Sequence, residues 1–127
     1  MQSRLIANIA LVSACTLLIR GTSHAQGYSA IVTNQKAGQL NGVVHYGERA
    51  GPQSALKDVS IAECSADFKE CVTQTKSDED GKFAVHSNQK GKIHYLRFLS
   101  PGWCVGEVIV TLIPGSKTLD IKLVIAT

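Results

Sequence analysis

The sequence predicts an all-β domain, a sandwich of seven short antiparallel strands. Three observations carry that expectation. Apolar and polar residues alternate in segment after segment, and no segment after the N-terminus shows a convincing helical period. Those segments are enriched in β-branched and aromatic residues. Gly, Pro, Asn and Asp interrupt the alternation at a spacing of roughly 8–14 residues, as in a meander of strands and turns.

Taken in order, residues 26–38 are polar and lack a period. They read as a loose lead-in, with room for a short strand at 30–33. "LNGVVHYG" is the first full strand and stops at Gly47, and "ERAGPQSALK" is a loop. "DVSIAEC" alternates through Val59 and Ile61, with Ala62 or Glu63 marking a change of face. "CVTQTKS" follows as its partner. After an acidic turn, "KFAVHS" puts Phe83 and Val85 on one face. "KIHYLRFLS" does the same with Leu96 and Phe98, and "SPGW" breaks it. "VGEVIVTLI" alternates at Val108, Val110 and Leu112, and "TLDIKLVIAT" at Leu119, Ile121, Leu123 and Ile125. Seven such segments in a domain of this size favour a sandwich over a parallel α/β sheet.

The chain has 127 residues, 44% of them apolar and 18% charged, enough for one domain. The formal charge of +3 is too small and too dispersed to argue for nucleic acid. The first residues differ in kind. Arg4 precedes an apolar run, "LIANIALVSACTLLI", at residues 5–19, and Ser23 and Ala25 are the small residues a signal peptidase requires. We read a signal peptide over residues 1–25, cleaved after Ala25, and a periplasmic or secreted domain over residues 39–127. The run is about 15 residues long, and a membrane span needs roughly 20. A rival reading comes from "VSAC" at residues 12–15, a loose lipobox in which Cys15 would be lipidated. Against it, "TLLI" continues the apolar run past the cysteine.

Removal of residues 1–25 leaves Cys64, Cys71 and Cys104. An export signal implies an oxidising compartment in which disulfides persist. Cys64 and Cys71 flank "SADFKE" between two strand-like segments, so a hairpin would set them opposite one another within disulfide reach. The pairing Cys64–Cys71 is therefore expected, the other reading being two buried thiols. Cys104 is left over as a free thiol, either a buried small residue after Trp103 or half of an intermolecular bond. The spacing of Cys64 and Cys71, with no histidine near, is not that of a zinc site.

"SDEDGK" decides most of the remaining chemistry. Asp side chains bond their own backbone two residues on, and Gly81 supplies the positive φ of a chain reversal, so a hairpin turn is the first reading. Asp78 and Asp80 also resemble the start of a calcium loop. Such a loop needs a bidentate Glu at its twelfth position, where this chain has Gln89. Calcium binding through Asp78 and Asp80 is thus a weak alternative, and no metal or cofactor is expected. Carboxylates adjacent in a wet turn lack the cleft that would split their acidities for catalysis. His45, His86 and His94 each fall in a predicted strand and form no metal-ligand cluster. A cross-strand pair of His86 and His94 is conceivable as a weak metal site, against a solvated strand face. No nucleophile elbow, Cys–His signature or phosphate loop is present. The exposed aromatics Tyr46, Tyr95 and Trp103 are candidate ligand contacts, because an aromatic face stacks on an apolar sugar face. For Trp103 the competing reading is a core residue closing one end of the sandwich.

The ordered set of segments resembles the carboxypeptidase regulatory-like domain, a transthyretin-like (prealbumin-like) β-sandwich with a carbohydrate-binding-like fold. Gly42 and Val44 match its opening strand, and Leu56, Val59 and Ile61 its second. Thr75, Asp78, Gly81 and Phe83 match its Thr-x-x-Asp-x-x-Gly-x-Phe turn. Leu96, Phe98, Pro101, Gly102 and Trp103 match a later Leu-x-Phe and Pro-Gly-aromatic pair. The resemblance covers residues 39–125 and implies a seven-stranded Greek-key sandwich with an accessory, structural or binding role. The family's usual peptidase or barrel neighbour is missing here, which puts covalent accessory attachment in doubt. The transthyretin-like folds include the 5-hydroxyisourate hydrolases, which end in Tyr-Arg-Gly-Ser. This chain ends in Val124, Ile125, Ala126 and Thr127, and that activity is not expected. The expectation is a non-enzymatic exported module that binds a protein or glycan of the cell envelope through loops 47–57 and 100–106. The alternatives are a structural subunit that self-associates, and a weak calcium module.

Overall fold

A computed structural model describes residues 30–126. The signal peptide, its cleavage position and the lipobox Cys15 lie outside the described residues. Within them the chain is all-β, with eight strands in two facing sheets: β1 (Ala30–Ala37), β2 (Asn41–His45), β3 (Ser60–Cys64), β4 (Cys71–Lys76), β5 (Lys82–Ala84), β6 (Ile93–Leu99), β7 (Val105–Leu112) and β8 (Leu119–Lys122). One sheet has the order β1-β7-β6-β3-β4 and the other β5-β2-β8. No helix among the described residues is long and apolar enough to cross a membrane.

The arrangement is sandwich-like, and period two explains the core. Ile61, Leu96, Phe98, Val108 and Val110 of the larger sheet pack in one core with Val44, Phe83, Leu119 and Ile121 of the smaller one and with Leu123 just past its last strand. Phe83 and Phe98 meet edge to face at 5.3 Å across the interface. Each of these residues sits at a position where the sequence alternates, so pairing register and burial agree.

Two expectations need correction. The lead-in is not loose throughout: β1 runs from Ala30 to Ala37, longer than the short strand at 30–33, and makes the strand count eight. Its alternation is hard to see because the inward positions are Ile31, Thr33, Gln35 and Ala37, of which only Ala37 is fully buried. The sheets are also not wholly antiparallel. β1 runs parallel to β7, from Ala30↔Val105 to Ala37↔Leu112, and β2 runs parallel to β8. Parallel partners must be distant in sequence, so no local turn signal announces them. The other ladders, β3–β4, β3–β6, β6–β7 and β2–β5, are antiparallel as expected. β5 is only three residues long, which leaves His86 beyond it rather than in a strand.

Gly42 lies at the centre of the smaller sheet, opposite Phe83 on one side and Leu119 on the other. A Cβ at this position would sit 2.7 Å from the Leu119 carbonyl carbon. Only a residue without a side chain allows β2 and β8 to approach so closely.

Candidate functional site

The end of the sandwich formed by loops 47–57 and 100–104 gathers two of the three candidate aromatics. β2 ends at His45, and Gly47 turns the chain away at φ 79°. The loop then folds back. Tyr46 N donates to Ser54 O, Leu56 N donates to Val44 O, and the Tyr46 hydroxyl donates to Gln53 O, at 3.0 Å in each case. Ser54 ties the loop to itself by donating its hydroxyl to Arg49 O at 2.8 Å. On the other side, Trp103 N donates to Ser100 O across a turn in which Gly102 has φ 88°. An isolated bridge pairs Trp103 with Ile125. The Tyr46 and Trp103 ring centroids lie 5.8 Å apart, with planes inclined by 34°. Trp103 is partly buried and packs against the core, while Tyr46 is 42% exposed. The core and contact readings of Trp103 thus describe two sides of one ring.

Tyr95 belongs to a different place. It lies on β6 beside Cys64 in the ladder and meets Phe68 edge to face at 5.6 Å. Phe68 is in the loop between the two cysteines, with φ 58°, and Arg97 Nη2 donates to its carbonyl at 2.7 Å. Arg97 also holds Glu107 through Nε at 2.9 Å and Nη2 at 2.6 Å.

Cys64 and Cys71 are bonded, opposite one another at the base of the β3–β4 hairpin as the spacing predicts. In the chain-entropy picture, closing so short a loop contributes about 2–3 kcal/mol. Cys104 is not a free thiol. It is disulfide-bonded, and no cysteine among the described residues is free.

The same disulfide loop holds one perturbed acid. The Ser65 hydroxyl donates to Asp67 Oδ1 at 2.7 Å, and the Lys69 N–H donates to it at 3.0 Å. These bonds, the hydroxyl first, hold the Asp67 carboxyl below the usual value of 3.8. A folded-state value below the unfolded one means that this contribution is present above 3.8 and is lost as pH falls through the lower folded value. NMR titration of the Asp67 side chain is expected to give a midpoint below 3.8, moving toward it in Ser65→Ala. An unshifted midpoint in both proteins would remove the hydrogen bond from the account.

The acidic stretch is a turn. Asp78 Oδ1 accepts from Asp80 N at 2.8 Å and from Lys82 N at 2.9 Å, while Gly81 N donates to Asp78 O at 2.9 Å, with Gly81 at φ 75°. Asp78 Oδ1 is thereby committed to the backbone of its own turn. No group of three His, Cys, Asp or Glu able to hold a metal occurs among the described residues.

Two histidines do more than their strand positions announce. His94 is buried on the inner face of the larger sheet, with Nδ1 2.8 Å from Glu63 Oε2 and Nε2 donating to Gly91 O at 3.0 Å. The Ser87 hydroxyl donates to the same Glu63 oxygen at 2.9 Å and lies 3.3 Å from His94 Nδ1. Ser, His and Glu together invite a comparison with nucleophilic catalysis, and the geometry rejects it. In a triad the serine and the carboxylate take opposite ring nitrogens. Here both meet Nδ1, and Nε2 is spent on a backbone carbonyl. His45 is also buried. Its Nε2 meets Asp120 Oδ1, and its Nδ1 faces Tyr46 O at 3.2 Å. Alternation contained the signal for Glu63 and His94: Glu63 shares the parity of Ile61, and His94 that of Leu96 and Phe98.

No family model, curated protein or solved structure matches the chain.

Proposed function

We propose that this chain is a non-catalytic exported β-sandwich module that binds a glycan of the cell envelope through the end carrying Tyr46 and Trp103. The observation that carries the reading is the pairing of those rings at 5.8 Å where two loops converge. Adjacent aromatic faces offer an apolar platform with a polar handle, here the Tyr46 hydroxyl, which matches the mixed surface of a sugar ring. The backbone bonds within loop 47–57 hold that platform in shape before a ligand arrives, which lowers the ordering cost of binding.

The carboxypeptidase regulatory-like assignment, with its transthyretin-like Greek-key topology, is part of this proposal. Its support is that the residues carrying the resemblance do specific structural work. Gly42 permits close strand approach, Val59, Ile61 and Phe83 fill the core, and Asp78 with Gly81 closes a turn. The chain also passes back and forth between the sheets, as Greek-key connections require. Export is supported by the signal-like first residues and by the Cys64–Cys71 bond, which persists in an oxidising compartment.

The chain has a single tryptophan, so its fluorescence reports on this site. Titration with a panel of envelope polysaccharides is expected to shift the Trp103 emission saturably. Tyr46→Ala is expected to weaken the binding by roughly tenfold, the equivalent of about 1.4 kcal/mol. An emission that no glycan moves, together with retention of one envelope protein on the immobilised domain, would replace the glycan by a protein partner.

A further inference from the structure

We infer that the outer edge of β1 is a self-pairing edge, on which a second copy of this chain adds its own β1 antiparallel to form one continuous sheet across a two-fold axis. An unpaired strand edge presents a row of N–H and C=O groups that template another strand, and folded domains blunt such edges. Two sheets leave four edges here, β1, β4, β5 and β8. Three of them are blunted. β5 is three residues long. β4 is bulged: Ile61 pairs with Thr75 and Ala62 with Thr73, so Gln74 is extra and bends the strand. β8 is short, and the Gln35 amide covers its middle, donating to Asp120 O at 2.8 Å and accepting from Asp120 N at 3.2 Å.

β1 has none of these devices. It is eight residues long, pairs in unbroken register with β7, contains no proline, and carries one charge, Lys36, near its end. No strand pairs its other side among the described residues. Ile113 N donates to Ala37 O, so the odd-numbered residues of β1 turn their backbone groups toward β7. The even-numbered ones, Val32, Asn34 and Lys36, turn theirs outward. An antiparallel partner centred on Thr33 would place Thr33 against Thr33, Val32 against Asn34 and Lys36 against Ala30. Threonine pairs stabilise a ladder, and no two like charges face each other. The contact uses the same surface on both copies, so it closes as a dimer and does not propagate.

Light scattering on the size-separated full chain is expected to give twice the monomer mass, falling to the monomer mass in Asn34→Pro. That substitution removes an outward N–H and leaves the β1–β7 ladder intact. Val72→Ser, on the bulged β4, is expected to leave the dimer unchanged. In wild-type protein the Val32 and Asn34 amides are expected to exchange slowly and to speed up on dilution, a reading that holds even if Asn34→Pro does not fold. Three results would each overturn the inference: a monomer throughout, a dimer whose Val32 and Asn34 amides exchange freely, or a dimer that survives denaturation without reductant and is therefore covalent. Sugar binding at Tyr46 and Trp103 is read separately, so either proposal can fail alone.

Discussion

His94→Ala is expected to destabilise the fold by about 3–5 kcal/mol, a large part of the roughly 5–15 kcal/mol that holds a domain of this size. Glu63 and His94 are 4% and 2% exposed and bonded to each other at 2.8 Å. Because Nε2–H is given to Gly91 O, the short contact at Nδ1 requires a proton shared between ring and carboxyl. Without the ring, Glu63 keeps only the Ser87 hydroxyl inside an apolar interface, and a buried acid without its partner carries nearly its full desolvation cost. The loss is expected to be local as well. Ser87 accepts from Gln89 N at 2.9 Å, so the segment between β5 and β6 hangs on the same cluster. Urea unfolding of His94→Ala, and of the cycle His94→Leu, Glu63→Leu and His94→Leu/Glu63→Leu, checks this. The double variant should be markedly less damaged than either single one, since paired apolar replacement leaves nothing orphaned. Additive losses would mean that the two residues act independently and that the shared proton is unimportant.

Gly42→Ala is expected to cost at least about 3 kcal/mol, the upper part of the range for forcing extra atoms into a packed interior. The added methyl would lie 2.8 Å from the Leu119 Cα and closer still to its carbonyl, all of it backbone. Side chains can rotate away from a clash, but a backbone held in a ladder cannot. Relief therefore requires β8 to separate from β2, which also pulls Leu119 and Ile121 from the core. Gly106→Ala is the built-in comparison. Its methyl would meet Leu123 Cδ2 at 3.2 Å, the far end of a side chain that can yield. Thermal unfolding should show a large fall in Tm for Gly42→Ala and a small change for Gly106→Ala. Similar effects at both positions would mean that β2 and β8 have slack.

Legibility from the sequence followed the range of each interaction. The strands β3, β6 and β7 and the Cys64–Cys71 hairpin were readable, because alternation and turn residues are local and the ladders they form are antiparallel. β1 was only half readable: Thr33 and Gln35 stand where a buried strand would have apolar residues, and Gln35 is there to reach Asp120 on another sheet. The parallel pairings could not be read, since their partners lie some 75 positions apart. At the candidate site, Tyr46 and Trp103 were both named, and their meeting depends on two loops packing at one end. Tyr95 was named with them, and its side chain serves the Phe68 loop instead. Glu63 and His94 were visible as polar residues at core parity, but a histidine in a strand signals nothing by itself until a carboxylate shares its face.

The two parallel ladders bear on when the chain can fold. β1 finds its partner only in β7, and β2, which also pairs with β5, waits for β8 to complete its sheet. Neither sheet can be completed until the C-terminal residues have been synthesised, and loops that long must close before their contacts repay the cost. Maturation is thus expected to be post-translational and slow for so small a domain, on the scale of milliseconds to seconds. Under the export proposed above, such a delay would keep the nascent strands from locking together before transit ends.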